Sequence, residues 1–229
     1  MTTCSRKFES RALTLIEVLV ILAVIAVLML MLFPAGHGTK ERAPRIQCVN
    51  NLKQVGIAFR IWAGDHNDNF PMQLTAADGG TREFVGGPET FRHFEVMSNE
   101  LNTPKLLFCP DDTETTRTMA TIFGETTSKA PNFIPFTGNS NLSYFVGVDA
   151  VNVNPQMLLS GDRNLTNGTA IVGGLLTLTT NHVSGWTTAM HNLIGNVGLA
   201  DGSVQGFTSS ALQSAVANSG IETNRLAMP

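Results

Sequence analysis

The chain has 229 residues, of which 14% are charged, and a formal net charge of -3 at pH 7. Proteins that bind nucleic acid concentrate positive charge, and no Lys/Arg cluster stands out here beyond the N-terminus, so nucleic acid is not an expected partner. Gly and turn-forming polar residues are abundant, which favours an α+β chain with most of its helix near the start and roughly 190 residues in one globular domain.

Residues 1–12 carry Arg6, Lys7 and Arg11 against Glu9, which places them in the cytoplasm by the positive-inside rule. Residues 13–33 are apolar apart from one carboxylate, and a helix of that length would be about 31 Å long, close to the thickness of a bilayer core. A cleaved secretory signal is disfavoured, because its apolar core is only about 7–15 residues long and ends at a small-x-small site. We therefore predict a cytoplasmic leader at 1–12, a transmembrane helix at 13–35 and an extracytoplasmic domain at 36–229.

Glu17 is the one charged residue within this apolar run. An ionised carboxylate at membrane depth raises the insertion free energy by roughly 3 kcal/mol, and a passive anchor gains nothing from it. A cut after Ala12 would free the amino group of Leu13, which lies four residues before Glu17, one helical turn away. The two charges could then neutralise each other between neighbouring helices of a bundle and select one axial register.

The stretch "RALTLIEVLVILAVIAVLMLMLFPA" resembles the N-terminal cleavage and methylation motif of type IV pilins and type II secretion pseudopilins. This resemblance, which covers residues 12–35, implies that a prepilin peptidase cuts between Ala12 and Leu13 and that Leu13 is N-methylated. It also implies that Thr14, Glu17 and Pro34 serve filament assembly, with a helix bend at the proline. Two positions depart from the usual pattern: Ala12 stands before the cut instead of Gly, and Leu13 after it instead of Phe.

After the apolar run, two glycines and Pro44 predict a break near residues 35–44, with a second helix from Arg45. We expect Gly64 to end this helix. Its apolar residues recur with a period near 3.6 and would form the stripe that carries a sheet; they are Val49, Leu52, Val55, Ile57, Phe59 and Trp62.

Cys48 in this helix and Cys109 after a short apolar run are the cysteines left once a leader containing Cys4 is removed. An even number of cysteines outside the cytoplasm favours a disulfide, which would stabilise the fold by roughly 4 kcal/mol in the chain-entropy model. The alternative is two separate buried thiols.

Short apolar runs bounded by turn residues predict strands in the second half of the chain. Asp201-Gly202 joins the last two and predicts a two-residue type I′ hairpin turn with positive φ at both positions. Short helices are expected at 91–101 and 208–219, so the fold class is α+β, a long N-terminal helix, transmembrane and then soluble, packed on a small antiparallel sheet. The predicted strands are 143–149, 156–162, 170–178, 195–200 and 203–207.

The soluble part also resembles a pseudopilin-like group of planctomycetes and verrucomicrobia. The resemblance rests on "CVNNLKQVGIAFRIWAGDHNDNFP", "NELNTPKLLFCPDD", "YFVGVDA", "MLLSGDRNLT" and "HNLIGNVGLADGSVQGF". The last stretch holds the label of that group, a histidine with nine residues before Asp-Gly, here His191, Asp201 and Gly202. The resemblance implies a pilin-like fold and a filament subunit.

The spacings typical of hydrolases, metalloproteases, redox dithiols and phosphate loops are missing, so we do not predict an enzyme. His191 is interpreted as a hydrogen-bonded structural residue near a hairpin, with a ligand or base as the alternative. Stretches 64–69 and 161–168 concentrate side-chain oxygens, so calcium at Asp162 and Asn164 is a possible metal site, against the alternative of turn-forming residues. No other cofactor is predicted.

These observations predict a pseudopilin in a type II secretion or type IV pilus-like filament. The expected location is the inner membrane, crossed once, with the N-terminus in the cytoplasm and the C-terminal domain in the periplasm or outside the cell. The expected partners are a prepilin peptidase, copies of the chain and other pseudopilins. The alternative is an uncleaved, single-span anchor that carries an extracytoplasmic binding domain.

Overall fold

The computed structural model describes residues 14–32, 39–124 and 133–229. The chain divides into two compact units, Met1–Lys40 and Glu41–Pro229. Ala12, Leu13 and Pro34, which the sequence assigns to processing and assembly, lie outside the described residues.

Helix α1 runs over Leu15–Leu32 and contains a single charged residue, Glu17. Its large apolar side chains from Leu15 to Leu30 are all open to solvent, from 43% exposure at Val18 to 82% at Leu15. Among the residues that the structure describes, no helix combines the length and the apolar character needed to cross a membrane.

Helix α2 runs over Thr39–Asp65 and includes Pro44, so the predicted start at Arg45 is wrong. Pro44 is the sixth residue of α2, where it removes one backbone hydrogen bond and its ring crowds the carbonyl of the preceding turn. The helix ends one residue beyond Gly64. The next residues that reverse the chain are Asn67 and Asp68, whose φ angles are 53° and 60°.

One face of α2 is buried at a 4-3-4-3 spacing, the pattern of a helix that packs along one stripe. Cys48 begins this stripe in place of the predicted Val49, which is half-buried. The predicted Ile57 is 55% exposed and lies off the stripe. The buried residues at this spacing are Cys48, Leu52, Val55, Phe59 and Trp62.

Between α2 and the sheet the chain forms short 3-10 turns and two single-turn helices. The two helices lie within 91–101, where the sequence predicted one helix. The helix is interrupted at Val96 and Met97, and Asn102, with φ of 62°, ends it. The two helices are α3 (Arg92–Glu95) and α4 (Ser98–Leu101), and the 3-10 turns are Pro71–Gln73, Ala76–Asp78, Arg82–Phe84 and Pro104–Leu107. A further 3-10 turn, Asn139–Asn141, comes before the main sheet.

The strands, in chain order, are β1 (Ile122–Phe123), β2 (Pro135–Phe136), β3 (Tyr144–Gly147), β4 (Leu158–Asp162), β5 (Leu165–Thr166), β6 (Leu175–Thr179), β7 (Gly185–Trp186), β8 (Gly195–Leu199), β9 (Val204–Phe207) and β10 (Thr223–Ala227). One antiparallel sheet has the order β6-β10-β3-β4-β8-β9. The pairs β1-β2 and β5-β7 lie outside it. The predicted α+β class with an antiparallel sheet is confirmed.

Both faces of the main sheet are covered, so its central strands are buried at every position: β3, β4 and β8 have no exposed residue. Tyr144 and Val146 belong to the core on the α2 side. Phe145 points to the other core, which contains Leu212 and Val216 of helix α5 (Ser209–Asn218). The sheet therefore lies between α2 and α5.

Two features of the sheet differ from the sequence predictions. Strand β10 was not predicted, although it lies between β3 and β6, because Thr223, Asn224 and Arg225 make its first half polar. The hairpin between β8 and β9 is not a type I′ turn. Its connection has four residues, 200–203, and of these only Gly202 has a positive φ, of 84°. This geometry is a turn closed by a left-handed glycine.

Candidate functional site

The start of α1 is closed by its own side chains. Glu17 Oε2 accepts hydrogen bonds of 2.8 Å from both the backbone N–H and the hydroxyl of Thr14, and the Glu17 N–H donates to Thr14 Oγ1 at 3.4 Å. This reciprocal arrangement is a capping box, in which a Thr and a Glu three residues later satisfy free donors of the first turn. Glu17 therefore has a structural partner within the chain, which the sequence analysis did not predict.

A second, buried constellation lies where α2 meets the end of the sheet. Cys48 and Cys109 form a disulfide, with a Cα–Cα distance of 5.2 Å, and both are fully buried. His191 Nε2 lies 3.3 Å from Cys109 Sγ. Two carboxylates approach the same imidazole, and we call the whole set the His191 junction: Cys48, Cys109, Asp111, Asp162 and His191.

Asp111 and Asp162 lie at opposite nitrogens of the imidazole. Asp111 Oδ2 is 2.9 Å from His191 Nδ1 and also accepts the backbone N–H of His191 at 2.6 Å. Asp162 Oδ2 is 3.4 Å from Nε2. Burial lowers the pKa of His191, with Asp111 acting in the opposite direction, so the neutral imidazole is favoured.

Asp162 is fully buried at the end of β4. Its Oδ2 accepts two hydrogen bonds from Asn196, from the backbone at 2.7 Å and from the side chain at 2.8 Å, whereas its Oδ1 has no partner among the described residues. Burial raises the pKa of Asp162 to about 7, although the bonds from Asn196 lower it. The carboxylate thus lies in a place that disfavours its charged form.

The loop that carries His191 has an uncommon backbone. His191, Asn192 and Leu193 have consecutive positive φ angles of 52°, 48° and 65°. Asn164 holds this loop: its side-chain amide donates to the carbonyls of Thr187, Met190 and Ile194 at 3.0, 2.8 and 3.2 Å. A run of left-handed residues costs conformational energy, so the side-chain bonds from Asn164 are what stabilises it.

A cleft of about 390 Å³ opens beside the junction. Arg45 from α2 lines it and reaches Asn196 Oδ1 at 3.4 Å, and His191 lines it although its side chain is only 1% exposed. The cleft therefore brings solvent close to a buried imidazole. Its other lining residues are Asp111, Thr113, Thr188, Ala189, Met190, Asn192 and Ile194.

Asp201 and Gly202 do not belong to the junction, but the same strand links them to it. The Arg60 guanidinium donates to the carbonyl of Asp201 at 2.6 Å, and a Cβ on Gly56 would lie 3.5 Å from Gly202 Cα. His191, which comes before β8 in the chain, contacts the disulfide that Cys48 of α2 forms with Cys109. The Asp201-Gly202 turn, which comes after β8, contacts α2 itself. The nine residues between His191 and Asp201 fit a strand fastened to the helix at both ends.

The two residues predicted as calcium ligands have other partners in the structure. Asn164 uses its amide group on three carbonyls, and its Oδ1 is buried without a partner in the described chain. Asp162 faces Asn196 and His191. The calcium site stays a prediction. Sequence reasoning missed Asp111 and Asn196, since nothing in their local sequence separates them from ordinary turn and strand residues.

Comparison with protein-family models, curated proteins and solved structures finds no match for this chain.

Proposed function

We propose that the chain is a pseudopilin, a subunit of a type II secretion or type IV pilus-like filament that a prepilin peptidase cuts after Ala12. The observation that carries the proposal is α1, a helix with one charged residue. Its large apolar side chains from Leu15 to Leu30 are exposed, and its single carboxylate is fixed at its first turn. Such a helix needs an apolar environment, and a bilayer and a bundle of identical helices both provide one.

The proposed membrane segment, residues 13–35, is longer than α1 because it includes Leu13 and the residues after Leu32. It crosses the inner membrane once, with residues 1–12 in the cytoplasm. The α+β domain faces the periplasm or the outside of the cell, where the Cys48–Cys109 disulfide persists. Its fold is proposed to be pilin-like, with α2 as the helix that carries the sheet.

The capping box sharpens the role of Glu17. Thr14 lies between Glu17 and the proposed new amino terminus at Leu13, so cleavage would place an ammonium group one residue before the helix cap. Glu17 then has two tasks: it closes the first turn of its own helix, and its charge meets the amino terminus of a neighbouring subunit. A glutamine can do the first and not the second.

The first experiment measures the mature N-terminus. The full chain is expressed in a host that has a prepilin peptidase, and the N-terminal peptide is analysed by mass spectrometry. We expect N-methylated Leu13, and Ala12→Gly should be processed at least as completely because it restores the usual residue. Ala12→Leu, which puts a bulky residue before the cut, should stay uncleaved. A wild-type chain that retains Met1 would favour the uncleaved anchor with a binding domain.

The second experiment separates the two tasks of Glu17. Glu17→Gln keeps the capping bonds and removes the charge, so it should insert and be cleaved but not enter filaments. Thr14→Val removes the cap and keeps the charge, so it should reduce assembly without abolishing it. Filament recovery by shearing and electron microscopy is the measurement. Normal filaments from Glu17→Gln would refute the charge-pairing role.

A further inference from the structure

Three soft or borderline metal ligands lie together in the His191 junction. The Sγ atoms of Cys48 and Cys109 and the Nε2 atom of His191 are all within 4.8 Å of one another, and all three residues are buried. They come from α2, from the segment after the 3-10 turn Pro104–Leu107, and from the loop before β8. The fold, not local sequence, holds them in place.

The imidazole is oriented as in a metal-bound histidine. Asp111 accepts at Nδ1, at 2.9 Å, which places the proton there and leaves the lone pair on Nε2, the nitrogen that faces Cys109. A carboxylate on the far nitrogen is the usual second partner of a zinc-bound histidine, and it fixes both the tautomer and the ring. In the disulfide form this lone pair faces a sulfur atom that has no proton to donate.

Asp162 adds a carboxylate next to one of these three atoms, His191 Nε2. It is fully buried, its Oδ2 lies 3.4 Å from His191 Nε2, and its Oδ1 has no partner in the described part of the chain. A buried carboxylate is stable when it is paired or coordinates a metal.

We propose that reduction of the Cys48–Cys109 disulfide converts the His191 junction into a site for one Zn²⁺. The ligands are Cys48 Sγ, Cys109 Sγ, His191 Nε2 and a carboxylate oxygen of Asp162, and Asp111 is a positioning residue. This donor set has the number and the types of ligand of a closed, four-coordinate zinc site. The disulfide holds α2 to the segment at Cys109, and the metal would hold α2, that segment and the loop before β8 together.

The chemistry of the conversion balances. A dithiol gives two electrons and two protons to the S–S bond, which breaks into two thiols, and the dithiol becomes a cyclic disulfide. Zn²⁺ then replaces the two thiol protons, which leave to solvent. Two thiolates on one tetrahedral zinc lie roughly 3.8 Å apart for a Zn–S distance of about 2.3 Å, so the sulfur atoms have to separate from their bonded positions.

The test uses the full chain in detergent micelles, with Cys4→Ser throughout so that the junction holds the remaining cysteines. The protein is reduced with dithiothreitol, freed of it under nitrogen, and titrated with Co²⁺ and then Zn²⁺. We expect one Co²⁺ per reduced chain, with thiolate charge-transfer absorption and the strong visible bands of tetrahedral cobalt. Zn²⁺ should displace it, and the oxidised chain should show none of these signals.

Variants separate ligands from neighbours. His191→Gln and Cys109→Ser should lose the tetrahedral spectrum, and His182→Gln, at an exposed histidine, should leave it unchanged. Asp111→Asn should weaken Zn²⁺ affinity by roughly 10–100-fold, as for other second partners of zinc-bound histidines, and Asp111→Glu should restore part of it. Metal binding by His191→Gln as tight as that of the reduced parent would overturn the site.

A second measurement tests the proposal if the reduced chain unfolds in the absence of metal. Fluorescence of the buried Trp62 and Trp186 reports the fold. If reduction abolishes the folded signal, one equivalent of Zn²⁺ should restore it in the parent and not in His191→Gln. Failure to bind metal in the folded reduced chain, or failure to recover the fold on adding it, would refute the proposal. Neither result bears on filament assembly.

Discussion

Helix α1 and the His191 junction differ in how far apart in the sequence their functional residues lie. In α1 the informative residues, Thr14 and Glu17, are three apart, so the sequence itself shows them together. In the junction the sequence separation between Cys48 and Cys109 is 61, and His191 is a further 82 residues along. A site of the first kind can be interpreted from a motif. A site of the second kind becomes visible only when the sheet has brought its parts together.

Burial adds a second contrast. Glu17 lies in an exposed helix, so its charge is either solvated or paired with a group on the surface that packs against the helix. The carboxylate of Asp162 is fully buried and has to find its partners within the fold. Changes at the junction should therefore affect the stability of the domain, whereas changes at Glu17 should affect assembly and leave the domain folded.

The largest expected effect is loss of the disulfide. Replacing both Cys48 and Cys109 by alanine should lower the free energy of unfolding by about 4 kcal/mol, since the bridge closes a long loop in the unfolded chain. Urea unfolding followed by tryptophan fluorescence measures it. Cys4→Ala is the matched control and should cause no change. A double variant as stable as the parent would show that the junction does not depend on the covalent bond.

A buried histidine outside the junction provides a reference for the effect of burial on a titratable group. His93 is fully buried, with Thr81 Oγ1 at 2.7 Å from Nδ1 and no partner for Nε2 among the described residues. Burial lowers its pKa from 6.5 to about 4. The unfolded chain therefore binds more protons between those values, so stability should fall as the pH is lowered through this window, by roughly 3 kcal/mol in all.

The measurement is the free energy of unfolding against pH for the parent, His93→Gln and His182→Gln. His93→Gln should lose stability less steeply below pH 6.5, and the exposed His182 should make no difference. Asp162, whose pKa is raised, acts in the opposite direction, so the difference between variants is the quantity to compare. Parallel profiles for the parent and His93→Gln would contradict the prediction.

Asn164 allows the predicted calcium site to be compared with the contacts observed. Asn164→Asp replaces an amide that donates to three carbonyls by an acceptor, so it should cost at least about 2 kcal/mol in stability. A calcium ligand would respond differently, because an added carboxylate strengthens binding and calcium would restore stability. Thermal unfolding with and without calcium separates the two, with exposed Asn181→Asp as the control.

Much of the fold was predictable because it rests on local patterns. The predicted strands at 143–149, 156–162 and 195–200 overlap β3, β4 and β8, since apolar runs bounded by turns are typical of covered strands. Strand β10 was missed because Asn224 and Arg225 are polar: Asn224 donates to Ser219, five residues earlier, and Arg225 pairs with Asp149, 76 residues earlier. No local pattern predicts the second contact.

The sites divide in the same way. The sequence analysis favoured a disulfide between Cys48 and Cys109 and treated His191 as a separate feature, and the structure places all three together. It did not identify Asp111, whose role depends on a histidine that follows at a separation of 80 residues. Asp162 was singled out for its oxygen atoms, and the structure places one of them 3.4 Å from Nε2 of His191.

The smallest expected effect tests the other end of β8. Gly202 has φ of 84°, a conformation that a side chain disfavours, and a Cβ there would lie 3.4 Å from Arg60 Cδ, a flexible atom that can move. Gly202→Ala should therefore lower the free energy of unfolding by about 1 kcal/mol through backbone strain alone.

Gly64→Ala is the matched control. Gly64 is in α2, and a Cβ built on it has no atom within 4 Å, so alanine should stabilise the helix by about 0.5–1 kcal/mol. Urea unfolding of both variants measures the two changes, which should have opposite signs. Equal effects at the two glycines would mean that the turn adapts to a side chain, and that contact with α2 rather than the left-handed backbone explains the Asp-Gly pair.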